Sequence, residues 1–192
     1  ANFLREKQTS LPWLGTFHSV SAKLLRRHAE AVGLNSRFTI IDQEDQLRLI
    51  KNICKAENID TKKISPKFIL SFIDRWKNKG LLPKDVVIKR GLPLEKSILN
   101  VYKFYQEKLG ILNSCDFGDL ILLCVTMLEN NPDILELYLN NFKYILVDEY
   151  QDSNYIQSKW LHLLTKKRNN ICCVGDDDQS IYSWRGAEIR NF

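Results

Sequence analysis

What the chain is short of narrows the field first. Its 192 residues include five cysteines, three histidines and eight glycines. The cysteines, at 54, 115, 124, 172 and 173, show no C-x-x-C spacing. An odd, unpatterned set argues against a disulfide framework or a cysteine-rich metal site and points to a reducing, cytoplasmic setting. Cys172 and Cys173 fall inside an apolar run and are expected as small buried hydrophobes. His18, His28 and His162 are too scattered along the chain to suggest a metal site. No apolar run approaches the ~20 residues of a membrane span, and no basic-plus-apolar leader of the secretory kind is seen. No glycine is followed by lysine anywhere. The loop G-x-x-x-x-G-K-[ST], whose backbone amides cradle phosphate while the lysine neutralises it, is therefore missing from these residues.

What is present suits a soluble globular protein of one large or two small domains: 44% hydrophobic and 27% charged. The net charge of +5 hides a division. Residues 34–109 carry 16 Lys/Arg against 9 Asp/Glu, residues 1–33 carry 5 against 2, and residues 110–192 carry 7 against 12. A basic middle beside an acidic C-terminal part makes phosphate backbones a natural partner for the middle. Any single lysine there reads as a solvated residue on a helix face.

The two most informative stretches share one shape, an apolar run that ends abruptly in carboxylates. Tyr144–Gln151 reads Y-I-L-V-D-E-Y-Q, and Cys173–Ala187 reads C-V-G-D-D-D-Q-S-I-Y-S-W-R-G-A. Continuous apolar runs of this kind are expected as buried parallel strands. The segment Ser153–Arg168 between them reads as a helix, so the unit is strand, helix, strand. Ligands of open α/β sheets bind at the carboxyl ends of such strands, which places Asp148, Glu149, Asp176, Asp177 and Asp178 along one rim. An apolar strand followed by Asp-Glu is the pattern in which the Asp holds magnesium and the Glu orients or deprotonates the attacking water. Alone, it equally fits a solvated acidic turn after a core strand. Gln179, just past the rim, has an amide able to donate to a phosphate and accept from a water. Tyr182 and Trp184 alternate, so in an extended segment both rings project to one side.

The strings D-E-Y-Q-D-S-N (Asp148–Asn154) and V-G-D-D-D-Q-S-I-Y-S-W-R-G-A (Val174–Ala187), with G-T-F-H-S (Gly15–Ser19) and D-F-G-D-L (Asp116–Leu120), resemble the superfamily 1 DNA helicases of the UvrD/PcrA/Rep group. The resemblance spans essentially the whole chain. It implies an α/β fold, a partial P-loop NTPase (RecA-like) parallel sheet with an inserted all-helical subdomain. Residues 1–33 and 110–192 would belong to the first motor domain and 34–109 to the insert. It further implies ATP and Mg2+ as cofactors, with Asp148 as the magnesium ligand, Glu149 as the catalytic base and Gln179 as the γ-phosphate sensor. Phe17, Tyr182 and Trp184, with His18 and Arg185 beside them, would border pockets for bases of single-stranded DNA. The function implied is a piece of an ATP-dependent 3′-to-5′ helicase and translocase, acting on single strands and single/double-strand junctions in DNA processing such as repair. In that group the phosphate loop precedes G-T-F-H-S and the second motor domain follows Arg185, so the chain alone is expected not to hydrolyse ATP. A non-catalytic DNA- or partner-binding module is the alternative. A helicase subunit of the recombination-nuclease group fits less well at Tyr150, Asp177 and Asp178. The UvrD/PcrA/Rep group usually carries Asp where this chain has Gly118.

Taken in order, Ala1–Thr9 reads as the end of a surface helix and a loop, and Trp13–Phe17 as a short strand. Ser19 is then expected to cap a helix running to about Ala31 and stopped by Gly33. Phe17 on its own also fits strand core. From Asn35 the pattern turns helical. Asp42 with Asp45 opens a helix carrying Leu47, Ile50, Ile53 and Cys54, and Ser65-Pro66 opens one carrying Ile69, Phe72, Ile73 and Trp76. Lys77, Lys79 and Gly80 end that second helix. Pro83 begins a short helix through Ile88. Pro93 begins a longer one with Ile98, Val101, Tyr102, Tyr105 and Leu109 facing inward. Asp116, with Asp119 at the box position, caps Phe117–Glu129, and Asn131-Pro132 opens another short helix. The D-F-G triplet lacks the companion strings of a protein kinase, and Asp176-x-Asp178-x-Ser180 lacks the glycine and glutamate of a calcium loop.

Overall fold

The computed structural model describes residues 13–88, 93–176 and 178. The expected surface helix at Ala1–Thr9 lies outside these residues. Those described form seven α-helices and four very short strands, with three helices in a row between β1 and β2 and two between β2 and β3. The helices start where side chains can satisfy the free amides of a first turn. Helix α1 (Phe17–Arg27) is capped by Thr16, α2 (Gln43–Ala56) by Asp42 and α3 (Pro66–Asn78) by Ser65 with proline in its first turn. Helix α4 spans Pro93–Ile111. Full capping boxes open α5 (Phe117–Asn130), through Asp116 and Asp119, and α7 (Tyr155–Thr165), through Asn154 and Gln157. Helix α6 is Pro132–Asn141.

The strands pair in parallel, two by two. Strand β1 (Thr39–Ile40) lies beside β2 (Ser114–Cys115), and β3 (Ile145–Val147) beside β4 (Ile171–Cys173) in register 145–171, 146–172 and 147–173. The β1–β2 pair holds together the chain leaving for α2 and the chain returning from α4. Asn35 N–H also donates to the Asn113 side chain at 2.7 Å.

Two separate apolar clusters follow. One gathers α1, α5, α6, α7, Phe38 and Val147, and the other gathers α2, α3 and α4. Helix α5 is the axis of the first. Leu120, Ile121, Leu122, Cys124, Val125, Met127 and Leu128 are all buried, the all-round apolarity of a central helix. In the second, the expected inward stripe of α4 is buried at every position, Ile98, Val101, Tyr102, Tyr105 and Leu109.

Several expectations are corrected. Residues 13–17 form no strand: Phe17 already begins α1, and the cap is Thr16, whose Oγ1 accepts the Ser19 N–H at 3.2 Å. The aromatic letters that suggested a strand pack sideways instead, Trp13 edge-on to Tyr138 and Phe142, Phe17 edge-on to Trp160, so tertiary contacts override propensity. Helix α1 stops at Arg27, and a 3-10 turn, Ala29–Val32, carries the chain to Gly33, whose φ of 75° is the left-handed conformation that closes it. At Pro83 there is a turn only, in which Asp85 N–H donates to Leu82 O at 2.9 Å. The segment at 153–168 is helical from Tyr155 to Thr165.

The larger correction concerns β3 and β4, which are not buried on both faces. Val147 turns into the first cluster, while Leu146 is 82% exposed and Cys172 and Cys173 are exposed. A parallel pair loses both faces to the interior only when helices cover both. Here the described helices cover one.

Lys77 breaks the expectation of solvated lysines. It is fully buried at the end of α3, with Nζ 2.7 Å from both Asp116 Oδ2 and Asp119 Oδ1. Tyr105 donates to Asp116 at 2.8 Å and Gln106 to Asp119 at 2.8 Å. This ionic knot lies where α3 and α4 of one cluster meet α5 of the other. Gly118 makes room for it: a Cβ there would fall 2.9 Å from Lys77 Cδ. Burial works against the Lys77 ammonium, but the two carboxylates outweigh it and hold its pKa above the ordinary lysine value. Burial likewise opposes ionisation of Asp116, yet Lys77 wins and its pKa is lowered. Asp119, desolvated and facing the Asp116 charge, is pushed up to about 6.

Candidate functional site

The site grows from the carboxyl ends of β3 and β4. Their ladder runs one step past the strands: Val174 N–H donates to Val147 O at 2.8 Å and Tyr150 N–H donates to Val174 O at 3.0 Å. The residues that follow each strand are thereby held side by side. Asp148 and Glu149 come directly after β3, and both are exposed. Glu149 adopts φ 55° and ψ 41°, left-handed for a residue with a side chain, and opens a 3-10 turn, Tyr150–Asp152. Such a conformation costs on the order of 1–3 kcal/mol, is sustained by the surrounding contacts and gathers at functional sites. Here the Asp148 carboxylate accepts the Glu149 N–H at 3.0 Å, and Ser153 Oγ donates to Tyr150 O at 2.7 Å.

A residue that pattern reading passed over ties the two acidic stretches together. Gln151, 2% exposed, donates through Nε2 to Glu149 Oε2 at 2.6 Å and accepts the Asp176 N–H on Oε1 at 3.0 Å. Nothing in its spacing distinguishes it from an ordinary polar turn residue. The one available signal was the requirement that a polar residue in a tight turn behind a core strand find partners.

A cavity of about 710 Å³ opens against this rim, and Phe17, His18, Asp148, Glu149, Asp152 and Trp160 are among the residues that line it. The structure therefore brings four of the expected site residues to one cavity: Phe17 and His18 from the start of α1, Asp148 and Glu149 from the end of β3. Phe17 is half-buried against Trp160. His18 stacks edge-on to Phe117 at 5.9 Å, and burial holds its imidazole pKa below the ordinary value. One Asp152 carboxylate oxygen is buried with no hydrogen-bond partner. Gln179, Tyr182, Trp184 and Arg185 lie outside the described residues.

Among the described residues, no group of three or more His, Cys, Asp or Glu is placed to hold a metal ion. Magnesium needs no such cage. It keeps several waters and takes one or two carboxylates plus substrate phosphates, and the exposed, hard oxygens of Asp148 fit that demand.

Exposed carboxylates at the carboxyl ends of a parallel strand pair, beside an aromatic-lined cavity, stand where open α/β sheets bind their ligands. The family described as UvrD/REP helicase N-terminal domain matches residues 1–192, and the chain belongs to it. It is 51% identical over 181 residues to a probable DNA helicase II homolog of Rickettsia felis, covering 93% of this chain and 28% of that protein. It is 43% identical over 184 residues to the ATP-dependent DNA helicase PcrA of Staphylococcus aureus, covering 96% of this chain and 25% of that protein. The chain thus spans about a quarter of the length of the curated relatives it matches. Among the described residues, no helix is long and apolar enough to cross a membrane.

Proposed function

We propose that this chain is part of the first motor domain of an ATP-dependent DNA helicase that translocates 3′ to 5′ along single strands and acts at single/double-strand junctions in the cytoplasm. The observation that carries this is the exposed Asp148-Glu149 pair at the end of β3, in the cavity that Phe17 and His18 also line. In this reading residues 1–33 and 110–192 form the motor layer and 34–109 the helical insert. Magnesium, when bound with ATP, supplies charge neutralisation at the phosphates. Asp148 is the carboxylate that would hold it, and Glu149 would take the proton of the attacking water. Gln179 reads the γ-phosphate. Phe17, His18, Tyr182, Trp184 and Arg185 contact unpaired bases, where each stacked ring contributes roughly 1–3 kcal/mol regardless of base identity. No Gly-Lys pair occurs in the chain, so residues 1–192 alone are proposed not to hydrolyse ATP.

The test has two arms. Calorimetry on the 192-residue chain is expected to show no micromolar magnesium-ATP binding. In the full-length protein, single-strand-stimulated ATP hydrolysis is expected to fall about 10²- to 10⁴-fold in Glu149→Gln, the range of a lost general base, with nucleotide still bound. Normal turnover of that variant removes Glu149 from its role. Micromolar binding by the isolated chain overturns its proposed inactivity.

A further inference from the structure

We propose that Gln151 is a positioning residue: its amide couples the Glu149 carboxylate to the backbone of the segment that follows β4. The inference rests on the reading of Glu149 as the base.

The two ends of this side chain are chemically unambiguous. Only its NH2 can donate to the Glu149 carboxylate, 2.6 Å away, and only its oxygen can accept from the Asp176 N–H at 3.0 Å. Glu149 is exposed, so water alone could satisfy its oxygens and stability does not demand a protein partner. It is nonetheless held by a short, charge-assisted bond from a buried donor. That bond fixes where the carboxylate points. The left-handed backbone of Glu149 and the 3-10 turn after it keep Gln151 within reach of both partners.

The other end of the amide reads a different part of the chain. Asp176 lies two residues past Val174, whose backbone closes the β3–β4 ladder on both sides. Asp178 N–H in turn donates to the Asp176 carboxylate at 3.1 Å, so the segment leading toward Gln179 is tied to the same residue that Gln151 holds. A displacement of that segment pulls on Gln151 Oε1, and through a rigid planar amide it turns the Glu149 carboxylate. No pattern in the D-E-Y-Q-D-S-N string separates this Gln from its neighbours, yet its one amide hydrogen-bonds to both stretches.

The experiment compares Gln151→Leu, Gln151→Glu and Glu149→Gln. In the full-length protein, Gln151→Leu is expected to lower kcat for single-strand-stimulated ATP hydrolysis about 10- to 100-fold, the cost of a misplaced catalytic group, with KM for ATP within about twofold of the parent. Gln151→Glu keeps the acceptor for the Asp176 N–H but sets one carboxylate against another. Like charges repel, so the Glu149 carboxylate is turned away and kcat is expected to fall as in Gln151→Leu, with KM for ATP again within about twofold. A Gln151 that merely braces the turn would not move kcat at constant KM. In the 192-residue chain, hydrogen exchange at the Asp176 amide is expected to speed up in Gln151→Leu and to stay slow in Gln151→Glu. Unchanged kcat in Gln151→Leu while Glu149→Gln is inactive overturns the coupling and leaves Glu149 as the base. Unchanged Asp176 exchange in Gln151→Leu also overturns it. Normal turnover by Glu149→Gln overturns both readings.

Discussion

Two acid pairs, Asp116 with Asp119 and Asp148 with Glu149, begin from nearly the same local design and end in opposite states. Each pair follows a very short parallel strand, β2 or β3, and each sits where the chain turns into a helical segment. The first pair is 0–1% exposed and shares one ammonium. The second is exposed to solvent, with Gln151 as the partner that fixes Glu149. The difference lies in what packs over the strand end. Helices α3 and α4 close over Asp116, whereas the end of β3 opens into a cavity. Acids that are covered become part of the scaffold, and acids that are left open remain available for chemistry.

The comparison can be broken most forcefully at Lys77. Lys77→Met leaves two buried carboxylates with no cation, and removing one partner of such a cluster costs about 3–5 kcal/mol. Urea unfolding of the 192-residue chain is the check, with the exposed neighbour Lys79→Ala expected to stay within about 0.5 kcal/mol of the parent. A loss as small for Lys77→Met as for Lys79→Ala would mean the knot is not structural.

A smaller effect is expected at Tyr105, whose hydroxyl donates to Asp116. Tyr105→Phe keeps the ring in the core and removes one hydrogen bond to a charged group, a loss of about 1.5–3 kcal/mol by the same measurement. The smallest effect is a pH dependence. Asp119 is raised to about 6, so its contribution to stability is present at low pH and is lost as pH rises through 6. Asp116 is lowered, so its contribution is present above the ordinary carboxylate value of 3.8 and is lost as pH falls below it. Between pH 7.5 and 5 the parent's melting temperature is therefore expected to gain on that of Asp119→Asn; Asp74, also raised to about 6, adds to the rise in both, and His18 and His28, both lowered, oppose it. Below the ordinary carboxylate value the parent is expected to drop steeply.

Where the deciding chemistry is local, the fold was readable from sequence. Asp42 with Asp45, Ser65 with Pro66 and Asp116 with Asp119 act within one turn of chain, and all three helix starts stand where those residues placed them. The apolar stripe of α4 was equally legible, because periodicity alone separates its buried face from its exposed one. Lys77 was not. At the end of a helix it reads as a cation complementing the last turn, and its partners lie 39 and 42 residues further on. The two-residue β1–β2 pair was missed for the same reason, being made by segments about 75 residues apart. The exposure of Leu146 and of Cys172-Cys173 depends on what covers a sheet face, which a single strand's composition does not encode. At the candidate site, the carboxylates were legible from their abrupt place after an apolar run. Gln151 was hidden by looking like any polar residue in a turn.

One measurement bears most directly on the claim that matching acid pairs have been assigned opposite roles. It is urea unfolding of the 192-residue chain carrying Asp148→Asn with Glu149→Gln, run beside Asp116→Asn. The rim variant is expected to keep its stability within about 0.5 kcal/mol, while Asp116→Asn, which strips a buried ammonium of one partner, is expected to cost about 3 kcal/mol or more. A rim variant that loses as much as Asp116→Asn would contradict the account, because Asp148 and Glu149 would then be holding the fold together rather than standing free for catalysis.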